Sequence, residues 1–318
     1  MRIVVLDGHT MSPGDNPWDE VAALGELTIY ERSTHGQLIE RAGAAEIIVT
    51  NKVPVTAADL DQLVNLKMIA VTATGYNVVD VEAARARGIP VCNVPVYATQ
   101  GVAQFTFALL LELCHHVGAH DASVKQGAWT RSPDFSYCET PQIELADRVM
   151  GVIGYGRIGR QAARIARAFD MKVMACDKDH APGGADGEVC FVDMRTVFSQ
   201  ADVVSLHCPQ TSETAGLVNA ERLGLMKSTA FLINTARGGL VVERDLADAL
   251  NKGRIAGAAV DVVAVEPIRE DNPLLTARNI IITPHMAWAG LAARKRLMAV
   301  TAENIRAFQR GKPVNVVN

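Results

Sequence analysis

The stretch Val149-Met150-Gly151-Val152-Ile153-Gly154-Tyr155-Gly156-Arg157-Ile158-Gly159-Arg160 decides the fold. A buried-type strand, Val149–Ile153, runs directly into glycines spaced G-x-G-x-x-G, and Arg160–Phe169 behind them has helical period. Each glycine answers a steric need of a strand-turn-helix that cradles a pyrophosphate. Gly154 permits the tight turn, Gly156 lets the backbone approach the phosphates, and Gly159 lets the helix pack close to the strand. The next predicted strand, Lys172–Cys176, ends at Asp177, 21 residues beyond Gly156, where a carboxylate meets the adenosine ribose hydroxyls. A glycine string alone is a common turn; the strand before it, the helix after it and the acid at this distance together predict a dinucleotide site that includes Tyr155, Arg157 and Ile158. A carboxylate at 177 repels a 2′-phosphate and no arginine follows closely, so NAD is expected over NADP, although Lys178 offsets part of that repulsion.

On either side of this motif, short Val/Ile-rich runs alternate with helix-period segments, the pattern of doubly wound α/β sheets. Before it, strands are predicted at Ile3–Leu6, Leu27–Tyr30, Glu46–Thr50, Met68–Thr72 and Ile89–Asn93, with a helix over Val79–Arg87 stopped by Gly88. A long apolar helix, about 101–117, leads to a crossing and an arm rich in aromatics and turn formers, from Trp129 to Pro141. The arm reads either as core or as a contact to a partner subunit. From Val149 a second series follows: Val149–Ile153, Lys172–Cys176, Val203–Leu206, Ala230–Asn234, Ala256–Val260 and Ile280–Thr283. A mixed-charge helix from about Leu291 follows, with Gly311-Lys312-Pro313 after it.

Composition fits two cores: 318 residues, 49% hydrophobic and 21% charged. A net charge of -4 supplies no field to hold nucleic acid or an anionic membrane, and a small-molecule partner is expected. The apolar stretch around Phe105–Leu111 is cut by Glu112, short of the roughly 20 residues of a membrane span. Cysteines 92, 114, 138, 176, 190 and 208 show no C-x-x-C pair and read as reduced, which places the protein in the cytoplasm. His116 and His120 have a metal-compatible spacing without a third ligand and read as a solvated helix end, so no metal is expected.

Chemistry concentrates where late strands end. Asn234-Thr235-Ala236-Arg237-Gly238-Gly239, Asp261 to Pro267 and Thr283-Pro284-His285 fall on loops at the edge where such sheets bind ligands. Arg237 has the fork to hold a carboxylate and polarise an adjacent carbonyl. His285 can pass a proton to and from an alkoxide, with Glu266 to fix its tautomer and favour the imidazolium. Taken singly, each has an ordinary structural reading: an Arg capping a helix, a Glu ending a loop, a core His. Behind a dinucleotide fold they combine into the set for reducing a 2-oxo acid. His207-Cys208-Pro209, after another strand, is expected to shape the rim of the cofactor pocket.

The order Ala73-Thr74-Gly75-Tyr76-Asn77, Asn93-Val94-Pro95, Gly154 to Gly159, Asn234 to Gly239, Asp261 to Pro267 and Thr283-Pro284-His285 resembles the D-isomer-specific 2-hydroxyacid dehydrogenases over nearly the whole chain. The resemblance implies an α/β protein in which a Rossmann NAD domain (100–286) is inserted into a flavodoxin-like substrate domain (1–99 and 287–318), and a homodimer. It implies that Arg237 binds substrate, that Glu266 and His285 form the acid-base pair, that Asp261 binds the nicotinamide carboxamide beside Thr235 and Ala236, and that Thr74 and Gly75 offer amides to the substrate carboxylate. Thr50-Asn51-Lys52, Thr72 to Asp80, Ser132-Pro133-Asp134-Phe135 and His285-Met286-Ala287-Trp288 resemble the glycerate dehydrogenase (hydroxypyruvate reductase) branch, which makes Lys52 and Trp288 substrate-proximal. D-glycerate and hydroxypyruvate, with glyoxylate, are the expected substrates, and a D-lactate or branched-chain 2-oxo-acid reductase is the alternative. Some relatives are NADH-sensing corepressors; retention of Arg237, Glu266 and His285 favours an enzyme.

Overall fold

A computed structural model describes residues 1–318, which divide into two compact units, Met1–Ala98 with Ala289–Asn318, and Thr99–Trp288. The division thus falls one residue before and two residues after the sequence boundaries, and Trp288 is the last residue of the second unit.

In the first unit the strands β1 (Arg2–Val5), β2 (Glu26–Ile29), β3 (Ile47–Thr50), β4 (Met68–Val71) and β5 (Val91–Cys92) form one parallel sheet of order β2-β1-β3-β4-β5. That is the flavodoxin-like winding. Every residue of β3 and β4 is buried, as expected for strands covered on both faces. The C-terminal helix Leu291–Gln309 belongs to this unit: buried Arg294 forks onto Asp15, with N–O distances of 2.5 and 2.6 Å, and Asn304 Nδ2 donates to Asn93 O at 2.8 Å. The tail after it returns to β5, where Val317 N donates to Val91 O.

In the second unit, β6 (Val149–Ile153), β7 (Lys172–Cys176), β8 (Ala185–Asp186), β9 (Val189–Phe191), β10 (Val203–Leu206), β11 (Phe231–Asn234), β12 (Gly257–Val260) and β13 (Ile280–Ile282) make a sheet of order β13-β12-β11-β10-β6-β7-β9-β8. All pairs are parallel except β8 with β9. β8 and β9 are absent from the sequence prediction, because Gly183, Gly184 and Gly187 break the stretch into runs too short to show a period. The β6 helix starts a turn earlier than expected, at Arg157, and runs to Ala168; it turns Gly159, Ala162, Ala163 and Ala166 to the core and Arg160, Arg164 and Arg167 outward. The long apolar helix spans Thr99–His115 and packs Ala103, Phe107, Leu110 and Leu113 into the same core. It stops where His116 takes a left-handed conformation (φ 47°). The arm is not core: Phe135 is 90% exposed, and Trp129, half-exposed, donates its indole N–H to Phe135 O. No single helix is long and apolar enough to cross a membrane.

Phe198 is the largest fully buried side chain and packs in the core formed by β10, β11 and β12. Phe198→Ala is expected to destabilise the second unit by about 3–5 kcal/mol, read as a lower urea midpoint of that unit's transition.

Candidate active site

The glycine loop has the steric character its sequence requires. Gly154 sits at φ +93°, and a Cβ there would lie 2.5 Å from Cys208 N. A Cβ on Gly159 would lie 2.1 Å from Gly154 O, so this helix-strand approach tolerates only hydrogen. A Cβ on Gly156 would meet nothing within 4 Å; this N-cap carries no side-chain hydrogen bond, and the amides of the helix's first turn lie behind an open face. That cradle fits a pyrophosphate. Tyr155 is used otherwise: its ring is buried edge-on against Phe191 and His180 and its N–H donates to Asp177 Oδ2 at 2.7 Å. Ile158 is half-buried and Arg157 exposed in the helix's first turn.

Asp177 Oδ1 accepts from Asp179 N at 2.9 Å and contacts His180 Nδ1 at 3.1 Å. Burial works to raise its pKa, but the amides of Asp179 and Tyr155 and the His180 ring outweigh it and hold the carboxyl below its usual range. A standing negative charge where the sequence expects the ribose suits NAD. On the other side of the loop, burial pushes His207 down to about 4, so its ring is neutral at working pH; Nε2 meets Ser205 Oγ at 2.9 Å. Cys208 backs Gly154, and its thiol is pushed up to about 11 by burial, while Pro209 O accepts from Thr214 Oγ1. His207, Cys208 and Pro209 therefore form a neutral rim.

The residues expected to handle a proton gather where β11, β12 and β13 end. Asp261, 1% exposed, accepts at Oδ1 from Thr283 Oγ1 (2.7 Å) and Met286 N (2.9 Å) and at Oδ2 from Ala287 N (2.9 Å). His285, at φ 52°, donates its N–H to Asp261 O at 2.8 Å. This turn aims the ring so that Nδ1 lies 2.6 Å from Glu266 Oε2, with both side chains about one-third exposed (30% and 33%). Glu266 is held in turn, since its Oε1 accepts from Val263 N at 3.3 Å. Arg237 enters on the adjacent loop. A Cβ on Gly238 would lie 1.9 Å from Val263 C, so the Arg237 loop rests directly on the Glu266 loop. Asn234 shapes that loop, with Nδ2 donating to Arg237 O and Oδ1 accepting from Ala236 N, and exposed Arg237 gives one N–H to Ala236 O. Thr235 Oγ1 pairs with Thr106 Oγ1 at 3.1 Å and ties the loop to the long helix.

Lys52, Thr74 and Gly75 are exposed at strand ends of the first unit, and Trp288 closes the second unit just past the Asp261-bound turn. His120 is spent on backbone, with Nδ1 on His116 O and Nε2 accepting from Glu139 N. Sequence reading quotes Asn234 only as part of its motif and misses its supporting role, and it misses His180 and Glu243, whose Oε1 accepts from Ala264 N at 2.7 Å. Asn234 carries a legible signal, a buried-strand run ending in a residue that bonds its own turn; Glu243 and His180 carry none, because their partners are distant in sequence or on irregular chain.

Residues 107–287 match the model described as "D-isomer specific 2-hydroxyacid dehydrogenase, NAD binding domain". The chain belongs to the D-isomer-specific 2-hydroxyacid dehydrogenase family. It is 48% identical to a hydroxypyruvate reductase of Blautia hydrogenotrophica, with 100% of each chain covered, and 43% identical to a glycerate dehydrogenase of Methylorubrum extorquens, over 99% of this chain and 98% of that one. It superposes on a D-lactate dehydrogenase of Aquifex aeolicus solved with NAD and lactic acid, with a TM-score of 0.83, 27% identity and 100% of each chain covered. This dehydrogenase is thus an NAD-dependent oxidoreductase acting on a CH–OH group, on two wound α/β units.

If the glycine cradle holds the cofactor, Gly159→Val forces the helix away from the strand. NADH binding should weaken by more than about tenfold in an isothermal titration, while the fold of the first unit persists.

Proposed function

We propose that this dehydrogenase interconverts hydroxypyruvate and D-glycerate, with glyoxylate as a further substrate. The observation that carries the reading is the His285–Glu266 contact of 2.6 Å beside the Arg237 loop, together with the names of the most similar relatives. Bound NADH supplies the hydride delivered to C2. Glu266 holds Nδ1 of His285 as a donor, so Nε2 is the position that gives a proton to the carbonyl oxygen in reduction and takes it back in oxidation. Arg237 grips the carboxylate and the carbonyl oxygen together, which orients C2 and stabilises the growing alkoxide.

Within this reading, Lys52, Thr74, Gly75 and Trp288 face the substrate. Gly154 to Gly159 cradle the pyrophosphate, Asp177 takes the ribose, and Asp261, Thr235 and Ala236 flank the nicotinamide. The first unit is then the substrate domain and the second the NAD domain. Net charge of -4 supports a small-molecule partner rather than nucleic acid or membrane, and the cysteines, with Cys92 and Cys114 buried as thiols, support the cytoplasm. Phe135 and Trp129, exposed on the arm, support a homodimer.

His285→Ala should lower kcat by about 10²–10⁴-fold while the NADH Kd changes little, because the lost group moves a proton and holds no phosphate. Retained turnover would remove His285 from the mechanism. Arg237→Lys should lower kcat/KM for hydroxypyruvate by about 10–100-fold, the loss of one charge-assisted, two-point contact. In a panel of 2-oxo acids with NADH, hydroxypyruvate should give the highest kcat/KM; preference for pyruvate or a branched acid would move the assignment to the lactate-type reading.

A further inference from the structure

We propose that Asp7 is a positioning residue for substrate binding, its carboxylate filling an amide nest and thereby fixing Lys52 at the ligand crevice of the first unit. In the order β2-β1-β3-β4-β5 the connections from β1 and β3 run to opposite sides, so the crevice opens beyond the ends of these two strands. Asp7 follows β1 there, and Asn51-Lys52-Val53 follow β3. Three successive N–H groups of that turn converge as they would on a bound anion. The anion is the protein's own. Asp7 Oδ1 accepts from Asn51 N at 2.9 Å, and Oδ2 accepts from Asn51 N (3.1 Å), Lys52 N (2.5 Å) and Val53 N (3.3 Å).

The carboxyl is buried, 8% exposed, whereas Lys52 is exposed. Burial pushes the Asp7 pKa up, against the bonds from Lys52, Asn51 and Val53. The turn's amides are therefore spent internally, and what it offers to an incoming carboxylate is the Lys52 ammonium. The same framework continues to the other substrate turn: Asn51 Nδ2 donates to Thr72 O at 2.6 Å, and Asn93 Nδ2 donates to Thr74 O at 2.8 Å. Asn51 and Asn93 are both buried, so the polar chain that sets the two turns is shielded from water.

The proposal rests on Lys52 meeting the substrate, and its test separates the two. Steady-state kinetics with hydroxypyruvate and saturating NADH would be measured for Asp7→Asn, Lys52→Met and the double variant. An amide at position 7 turns an NH2 toward amide donors and loosens the nest. Asp7→Asn should raise KM about tenfold with kcat within about twofold and the NADH Kd unchanged, and the double variant should be no worse than Lys52→Met alone. A folded Asp7→Asn with unaltered KM, or effects that multiply in the double variant, would overturn the proposal, as would a joint fall of kcat and NADH affinity, which marks a merely structural residue. If Lys52→Met leaves KM unchanged, the reading of Lys52 fails and the proposal with it. Should Asp7→Asn not fold, Asp7→Ser, whose hydroxyl still accepts from one amide, is measured by the same criteria.

Discussion

The carboxylate of Asp261 is the constraint on which the turn carrying His285 depends. A buried charge is tolerated only where hydrogen bonds replace water, and here the replacements are Thr283 Oγ1, Met286 N and Ala287 N, all from one turn. The groups that stabilise the charge are thus the groups that define the loop. Between them His285 adopts φ 52°, a conformation that costs an L-residue of order 1 kcal/mol and persists because its own N–H is taken by Asp261 O and Thr283 O. The backbone set fixes where the side chain leaves the turn, and the ring itself is held by its Nδ1 contact with Glu266 Oε2. In its proposed role as proton donor, a group held this way would meet the reacting oxygen with little left to reorganise.

Two other acids at strand ends are used in the same inward manner. Asp7 closes the turn after β3, and Asp177 takes the N–H groups of Tyr155 and Asp179, which couples the end of β7 to the glycine loop. In each case an anion gathers amides that would otherwise be orphaned where a parallel strand stops. Asp177 keeps more solvent contact than the other two, and its carboxyl stays ionised more readily than an ordinary aspartate, whereas burial drives Asp7 the other way. The more exposed acid is suited to bind a ligand, and the buried ones to hold a loop.

Much of this was legible in the sequence, for a physical reason. Parallel strands buried on both faces must be apolar runs, and eleven of the thirteen strands, counting the one at the glycine motif, stand out without any partner being known, although edge strand β2 is largely exposed and shows as a β-branched rather than an apolar run. Gly154 and Gly159 are legible because no other residue fits their contacts. Short β8 and β9 escape, since a two- or three-residue pairing leaves no period. The inward roles of Asp7 and Asn51 escape because they depend on β1 lying beside β3, which residue order does not state. The arm from Trp129 to Pro141 was open between core and surface, as aromatics serve either; the exposure of Phe135 decides it.

The division between buried supports and exposed contacts bears on how substrates diverge on this scaffold. Asp7, Asn51, Asn234 and Asp261 are buried and bonded mainly to backbone, so their work is indifferent to the acid being reduced. Lys52, Thr74 and Arg237 are exposed, and one of them can change without disturbing the turn beneath it. In the proposed function Arg237 addresses the carboxylate and carbonyl common to every 2-oxo acid, so preference among acids would lie in other side chains. Exchanging one such side chain would alter affinity by roughly 1–3 kcal/mol, the worth of a methylene-sized difference. The proposed proton-transfer pair would be untouched by such an exchange, in keeping with relatives named for lactate and for hydroxypyruvate on one fold.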